Sequence, residues 1–216
     1  MDMLTNTHDQ ELTSVTLDAA ETGNGTSPPR RLPNAALRSR EHLTEAEIEK
    51  LRKRASHRYG TMILLAYRHG LRVSELVALE WTHITDLDRQ SRASLKVERL
   101  KGSISGTHPL EPDEVAALRR LRKEQPDAVY VFRSMRGDKL SAAGFRKQLS
   151  RLADAAGLGD LHIHPHMLRH SAGQMLVDKM PLGMLADYLG HAQIQNTRIY
   201  SRANGERFRG IWRKHK

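Results

Sequence analysis

The stretch HIHPHMLRH, residues 162–170, holds four histidines and one arginine in nine residues. Neutral imidazoles bind transition metals well. Histidines beside an arginine can instead bind a phosphate, because a guanidinium engages two oxygens at once and an imidazole exchanges protons near neutral pH. A third possibility is a polar helix face whose histidines are hydrogen bonded and do no chemistry. The stretch therefore predicts a metal site, a phosphate site or a structural helix.

Metal binding is the least favoured of the three. Metal-hydrolase sites usually complete a histidine ligand set with a carboxylate, and no acidic residue occurs between Asp160 and Asp178. Arg169 would place a permanent positive charge beside the ion, since guanidinium does not deprotonate in proteins. The chain has no cysteine, which excludes thiolate zinc sites, Cys nucleophiles and disulfides. We therefore predict no metal.

The histidines lie on a predicted helix that begins at Pro165, a residue well suited to the first helical position. The helical period places His166 and His170 one turn apart on the polar face and Arg169 near the boundary between faces. The opposite face is apolar and is formed by Leu168, Ala172, Met175 and Leu176. Such a helix can rest on a core while it presents histidine and arginine to a cleft.

The charge of the chain indicates the kind of partner that this cleft would bind. The formal net charge is +10, and residues 1–29 contain five acids and no Lys or Arg, so residues 30–216 carry +15. A basic field of this size favours a polyanion, because each neutralised phosphate releases counterions. The alternatives are a solubilising surface or a ribosomal type of scaffold. Charge alone therefore favours nucleic acid without proving it.

The chain divides into a polar N-terminal tail, residues 1–40, and one mainly helical domain with a small β-hairpin or sheet, residues 41–216 (α+β). Residues 93–110 alternate and then become rich in Gly and Ser, which predicts the hairpin. No secretory signal and no apolar run long enough to span a bilayer is present. Predicted helices cover LTEAEIEKLRKRA, GTMILLAYRHG, VSELVALEW, EPDEVAALRRLRKEQ, SAAGFRKQLSRLADAAG, HPHMLRHSAGQMLVDK, PLGMLADYLG and GERFRGIWRK.

Further residues with chemical potential lie outside the histidine-rich helix. GLRVSEL places Arg72 after a glycine, with Glu75 three residues later, and LGH places His191 after another glycine. Lys101 lies at the tip of the hairpin, and Tyr200 lies in a polar run that suits a mobile nucleophile. Each has an ordinary alternative: Arg72 could cap a helix or pair with Glu75, Lys101 could be solvated and Tyr200 could pack in the core.

GLRVSEL, the hairpin lysine, HMLRH, LGH and the tyrosine that follows resemble, in this order, the tyrosine recombinases or phage integrases. The resemblance covers roughly residues 41–212 and implies the catalytic-domain fold of these DNA breaking and rejoining enzymes. It implies a metal-independent and ATP-independent reaction, with no cofactor, in which Tyr200 attacks a DNA phosphate. The implied catalytic residues are Arg72, Lys101, His166, Arg169, His191 and Tyr200, with supporting roles for Glu75 and His170.

HGLRVSEL, THPL, IHPHMLRHS, DYLGH and RFRGIW resemble most closely the short recombinases that invert fimbrial promoter elements and lack a separate N-terminal core-binding domain. This implies double-stranded DNA with short inverted repeats as substrate, a bacterial cytoplasmic location on the nucleoid, and possible accessory DNA-bending proteins. It also implies a tetramer on paired sites that forms through the C-terminal segment 205–216. A DNA-binding regulator that does not cleave, and a metal-dependent hydrolase, are the alternatives.

Overall fold

The computed structural model describes residues 41–99, 104–134 and 136–200. The predicted tail, Lys101 and the C-terminal segment 205–216 lie outside these residues. Within them the helices are α1 Glu45–Arg54, α2 His57–Arg68, α3 Val73–Val77, α4 Pro112–Glu124, α5 Ala142–Ala155, α6 Pro165–Leu176 and α7 Leu182–Leu189. The strands are β1 Ile84–Thr85, β2 Ser94–Val97 and β3 Gly106–Pro109. The predicted mainly helical fold with a small sheet is confirmed.

Local sequence signals place the starts of α1 and α6 correctly, whereas α2 begins at His57, before the predicted start at Gly60. Thr44 caps α1: its hydroxyl accepts a hydrogen bond from the Glu47 amide at 3.3 Å, and the Glu47 carboxylate accepts one from the Thr44 amide at 2.8 Å. This reciprocal capping box satisfies two amides that lack partners within the helix. Pro165 occupies the first turn of α6, as predicted.

The helix predicted over VSELVALEW is shorter than expected. It ends at Val77, and a 3₁₀ helix follows at Trp81–His83. Residues 79–81 form backbone hydrogen bonds with residues 129–131 instead: the Trp81 amide donates to the Val129 carbonyl at 3.0 Å, and the Val131 amide donates to the Leu79 carbonyl at 2.9 Å. Long-range pairing therefore occupies the backbone amides and carbonyls that a longer helix would use.

The sheet has three antiparallel strands in the order β1–β2–β3. The predicted hairpin is β2–β3, with Leu95 opposite His108; β1 is an additional short strand that pairs Ile84 with Leu95. Ala93, Leu95 and Val97 alternate toward the interior and are at most 3% exposed. Because strand side chains repeat with a period of two, Arg99 continues this buried face.

Two groups of buried side chains hold the helices together. The larger group centres on α2, where Met62, Ile63 and Leu65 are fully buried, and α2 packs against α1, α4 and α6. The smaller group joins α6 and α7 through Ala172, Leu185 and Leu189, and it includes Tyr200. These two groups place the C-terminal ends of α2 and α7 beside the middle of α6.

Candidate active site

The turn after α2 forms the base of the site. Gly70 has a φ of +57°, a left-handed conformation that glycine adopts without steric cost. Its carbonyl oxygen accepts hydrogen bonds from Arg169 Nη1 at 2.6 Å and from Arg99 Nη1 at 3.2 Å. The same turn leads directly into Arg72, which precedes the first residue of α3. One short turn therefore connects the two arginine motifs of the sequence.

Glu75 holds Arg72 at the start of α3. The Arg72 amide donates to Glu75 Oε2 at 2.8 Å, and Arg72 Nη1 donates to Glu75 Oε1 at 2.7 Å. Burial pushes the pKa of Glu75 upward, but the charge of Arg99 and hydrogen bonds from Arg72 and Arg99 outweigh burial, so this pKa lies below its usual range. The Arg72 side chain remains 34% exposed. Its guanidinium is therefore both oriented and accessible.

Arg169 is buried, not at the boundary of the α6 polar face as the helical period predicted. It is 1% exposed, and Nη2 donates to the Leu189 carbonyl at 2.6 Å in addition to the bond to Gly70. The helical period cannot reveal that α2 and α7 end beside α6 and offer carbonyl acceptors there. Burial and the charges of Arg99 and Arg72 lower the pKa of Arg169 to about 10, so it stays a cation at neutral pH.

His191 follows the last turn of α7. Gly190 has a φ of +66° and lets the chain reverse, so that the His191 amide donates to the Ala186 carbonyl at 2.8 Å. The ring is oriented by a 2.8 Å hydrogen bond between His191 Nδ1 and the hydroxyl of Thr197, which is fully buried. Burial, followed by the charges of Arg169 and Arg72, lowers the pKa of His191 to about 4.

His166 lies on the first turn of α6, where the residue is exposed to solvent on one side and its ring is partly covered by protein on the other. This partial burial of the ring, followed by the charges of His170 and Arg169, lowers the pKa of His166 to about 4, and Arg72 contributes further. His166 and His191 are therefore neutral at pH 7, and each can accept a proton or donate one ring N–H. Since Arg72 and Arg169 act on both rings, these four side chains share one basic neighbourhood.

The Tyr200 hydroxyl lies 3.0 Å from His170 Nδ1, within hydrogen-bond distance. Its ring is nearly parallel to the His191 ring, with 6.5 Å between the centroids. Tyr200 is only 6% exposed, so its polar sequence context misrepresents its packing. Burial raises the pKa of Tyr200, while the charge of Arg169 acts in the opposite direction. The tyrosine thus rests beside the basic neighbourhood as a neutral phenol.

Gly173 makes room for this tyrosine on α6. A Cβ atom at position 173 would lie 2.5 Å from Tyr200 Cε2 and 2.6 Å from Cε1, much closer than van der Waals contact. Glycine in the middle of a helix is otherwise unfavourable by about 1 kcal/mol relative to alanine. The contact with Tyr200 gives this glycine a structural reason.

The family resemblance implies that Tyr200 cleaves DNA, so Gly173→Ala, which displaces Tyr200, is expected to slow that cleavage by about 10²-fold, the order of loss when a reacting group moves by about 1 Å. Helix content should be retained, because alanine favours the helix. Covalent protein–DNA adducts counted over time measure the effect. Gly183→Ala in α7 is the matched control, since nothing beyond its chain neighbours and the backbone of its own helix lies within 4 Å of the added methyl group. Equal adduct rates in both variants would contradict this role of Gly173.

The structure brings together Arg72, Glu75, His166, Arg169, His170, His191 and Tyr200. Lys101 lies outside the described residues. Arg99, which no sequence motif singled out, bonds to the same elements: the whole residue is 8% exposed, and Nη1 donates to Glu75 Oε2 at 2.7 Å. The signal that could have revealed Arg99 is the alternation of β2, which places it on the buried strand face, where a charge needs partners.

Within the described ranges 41–99, 104–134 and 136–200, no three His, Cys, Asp or Glu side chains are grouped as potential metal ligands. The charged groups that act on His166 include the guanidiniums of Arg72 and Arg169. Fixed cations of this kind favour an anion over a metal cation. The local electrostatics therefore suit a phosphate.

The sequence profile described as the phage integrase family matches residues 41–207. The chain belongs to this family. The type 1 fimbriae regulatory protein FimB of Escherichia coli K12 is 39% identical over 186 residues, which cover 81% of this chain and 90% of FimB. FimE of the same strain is 35% identical over 196 residues, covering 83% of this chain and 94% of FimE. This phage integrase family member is thus a tyrosine-type site-specific recombinase.

More distant relatives are recombinases as well. Tyrosine recombinase XerC 1 of Ralstonia nicotianae is 33% identical over 212 residues, covering 85% of this chain and 62% of that protein. The crystal structures of XerA recombinase, and of XerH bound to its difH substrate before cleavage, each superpose with a TM-score of 0.67 at 24% identity. They match 81% and 79% of this chain, which spans 66% and 53% of those chains. These likenesses establish the fold.

No described helix is both long and apolar enough to cross a membrane.

Proposed function

We propose that this recombinase cleaves one DNA strand by attack of Tyr200 on a backbone phosphate, and that it forms a 3′-phosphotyrosine intermediate. The observation that carries the proposal is the shared neighbourhood of two guanidiniums, Arg72 and Arg169, and two neutral imidazoles, His166 and His191, beside the Tyr200 phenol. Fixed cations stabilise the charge that develops on the non-bridging oxygens during phosphoryl transfer. Arg72 and Arg169 have this role.

The proposed step conserves the phosphodiester energy. The bond from Tyr200 Oη to phosphorus forms while the bond from phosphorus to the 5′ oxygen breaks. The phenol proton passes to His166, and the leaving 5′ oxygen takes a proton from Lys101, both as general acid–base chemistry. His191 donates a hydrogen bond to the phosphate. Attack by another 5′ hydroxyl then reverses these transfers and reseals the strand, which requires no ATP or metal ion.

The Tyr200 hydroxyl must leave or exchange its contact with His170 before it attacks. At 6% exposure, and with a raised pKa, the phenol is held in a resting arrangement. We infer that DNA binding moves the segment that carries it, since the reacting oxygens must approach to about 3–3.5 Å. The same resting arrangement is the specific observation that favours the alternative function, a DNA-binding regulator that occupies its sites without cleaving them.

The proposed biological reaction is inversion of a promoter element that controls fimbriae or another surface structure. The similarity to FimB and FimE over most of the chain supports it. The proposed substrate is double-stranded DNA with short inverted repeats, bound by a homotetramer that assembles through the C-terminal segment 205–216. Accessory DNA-bending proteins would assist on the bacterial nucleoid in the cytoplasm. The +15 charge of residues 30–216 suits this polyanionic partner.

The test uses a nicked suicide substrate that carries one inverted repeat, taken from DNA that flanks the gene. The nick makes the released fragment, which carries the free 5′ hydroxyl, short enough to diffuse away. Religation then fails, so covalent complexes accumulate. We expect a denaturation-resistant adduct that retains the label of the 3′-phosphate strand and forms equally well with EDTA present. Specific DNA binding without any adduct would favour the regulator. Strand cleavage that leaves no adduct and that EDTA abolishes would favour the metal-dependent hydrolase.

A further inference from the structure

We propose that Arg99 is a positioning residue that fixes both proposed phosphate-binding arginines, Arg72 and Arg169, without touching DNA itself. The inference rests on the proposed function of the site. Arg99 follows β2 and precedes the residues that include Lys101. Its side chain extends from the buried strand face to the ends of α2 and α7, where the rest of the site is assembled.

Arg99 makes four side-chain hydrogen bonds with residues that the structure describes. Nη1 donates to Glu75 Oε2 at 2.7 Å and to the Gly70 carbonyl at 3.2 Å. Nη2 donates to the Tyr188 carbonyl at 2.9 Å and to the His69 carbonyl at 3.2 Å. Only a planar guanidinium presents several donors in a rigid geometry of this kind. Arg99 therefore joins the end of α2, the start of α3 and the end of α7 in a single contact set.

Two of the acceptors are shared with the proposed phosphate-binding residues. One oxygen of Glu75 binds Arg99 and the other binds Arg72, so Arg99 orients the carboxylate that orients Arg72. The carbonyl of Gly70 accepts from both Arg99 and Arg169. Arg99 thus shares one hydrogen-bond acceptor with each proposed phosphate-binding arginine. A substitution at position 99 should therefore alter the orientation of both.

Arg99 and Arg169 also hold the end of α7 through hydrogen bonds to its carbonyls. Successive carbonyls of α7, those of Tyr188 and Leu189, accept from Arg99 and Arg169 respectively. The next residues are Gly190 and His191. A Cβ atom at Gly190 would lie 2.8 Å from Arg99 Cγ and Nε, so the chain passes directly over the arginine. Arg99 therefore also defines where His191 enters the site.

Arg99 is covered, which separates its role from that of Arg72. The Arg99 side chain is 1% exposed, whereas that of Arg72 is 34% exposed. Hydrogen bonds to protein acceptors occupy all four Nη N–H groups of Arg99, which leaves none of them for a DNA phosphate, whereas Arg169 makes two such bonds with described residues. The charge of Arg99 still acts at the site: with burial, it lowers the pKa values of Arg169 and His191. Two guanidiniums, those of Arg72 and Arg99, pair with the one carboxylate of Glu75, and a bound phosphate would offset this excess of positive charge.

The experiment compares Arg99→Lys and Arg99→Met with wild type on two nicked substrates. One substrate has the natural phosphate at the cleavage position. The other has a methylphosphonate there, in which a methyl group replaces one non-bridging oxygen and removes its charge. Single-turnover adduct formation gives the rate, a gel shift gives the Kd for DNA, and thermal unfolding checks the fold. Arg58→Lys is the control. Arg58 lies at the start of α2, whereas the site lies beyond the end of α2, and Arg58 Nη1 donates to the Arg133 carbonyl.

We expect Arg99→Lys to lower the adduct rate about 10-fold and Arg99→Met about 10²-fold on the natural phosphate, while the Kd changes less than about 3-fold. On the methylphosphonate, both variants should form adducts within about 3-fold of the wild-type rate. The phosphorus centre then carries less negative charge for the guanidiniums to stabilise. Lysine keeps the charge and the Glu75 contact, so Arg99→Lys carries the test should Arg99→Met fold poorly.

Equal losses on both substrates, or losses fully explained by a lower melting temperature, would overturn the proposal and leave Arg99 a purely structural residue. Wild-type rates in both variants would also overturn it. Failure of the proposed function looks different, since the wild-type protein itself would then form no adduct on either substrate.

Discussion

Tyr200→Phe is expected to abolish covalent protein–DNA adducts while DNA binding stays unchanged. The substitution removes only the phenol oxygen and leaves the ring packed against Gly173. Loss of a covalent nucleophile typically costs more than about 10⁴-fold in rate. A gel under denaturing conditions detects the adduct, and a native gel shift on the same nicked substrate measures binding.

Tyr67→Phe is the matched control for this result. It also removes one hydroxyl, which lies 3.5 Å from a Glu45 carboxylate oxygen on the outside of α2. Adduct formation by this variant should equal that of the wild type. Adducts that persist in Tyr200→Phe would show that another group attacks the phosphate, and the assignment of the nucleophile would then fall.

Arg72→Ala and Arg169→Ala are expected to reduce adduct formation to a similar degree, about 10²- to 10³-fold each, because each removes a fixed cation from the charge that develops at the phosphate. Their effects on stability should differ. The Arg72 side chain is partly exposed, and its partner Glu75 keeps the ion pair with Arg99 at 2.7 Å. Arg169 is buried, and its removal leaves the Leu189 carbonyl without this donor.

The expected loss of stability for Arg169→Ala is about 1–3 kcal/mol, the cost of leaving a buried polar group without a partner, with more added for the lost side-chain volume. Arg72→Ala should change the free energy of unfolding by less than about 1 kcal/mol. Urea denaturation measures both, and the nicked substrate measures cleavage. Wild-type cleavage by Arg72→Ala would contradict the shared role of the two arginines.

Features with a local cause follow from the amino-acid order. Thr44 and Glu47 cap α1 because the two residues lie within one turn, and Pro165 begins α6 because its ring already has a helical φ. The alternation of β2 predicts the hairpin for the same reason, since neighbouring residues alternate between faces. The motifs around Arg72, Arg169 and His191 also reveal the family, because they lie in a specific order along the chain.

Features that depend on distant contacts could be decided only by the tertiary structure. The burial of Arg169 requires carbonyls from Gly70, 99 residues away, and from Leu189. The hydrogen bond between Tyr200 and His170 joins residues 30 apart, and a polar sequence context suggested exposure instead. The central place of Arg99 depends on acceptors from three helices. No local period encodes which chain ends meet, because packing of α2, α6 and α7 brings these groups together only after the core has formed.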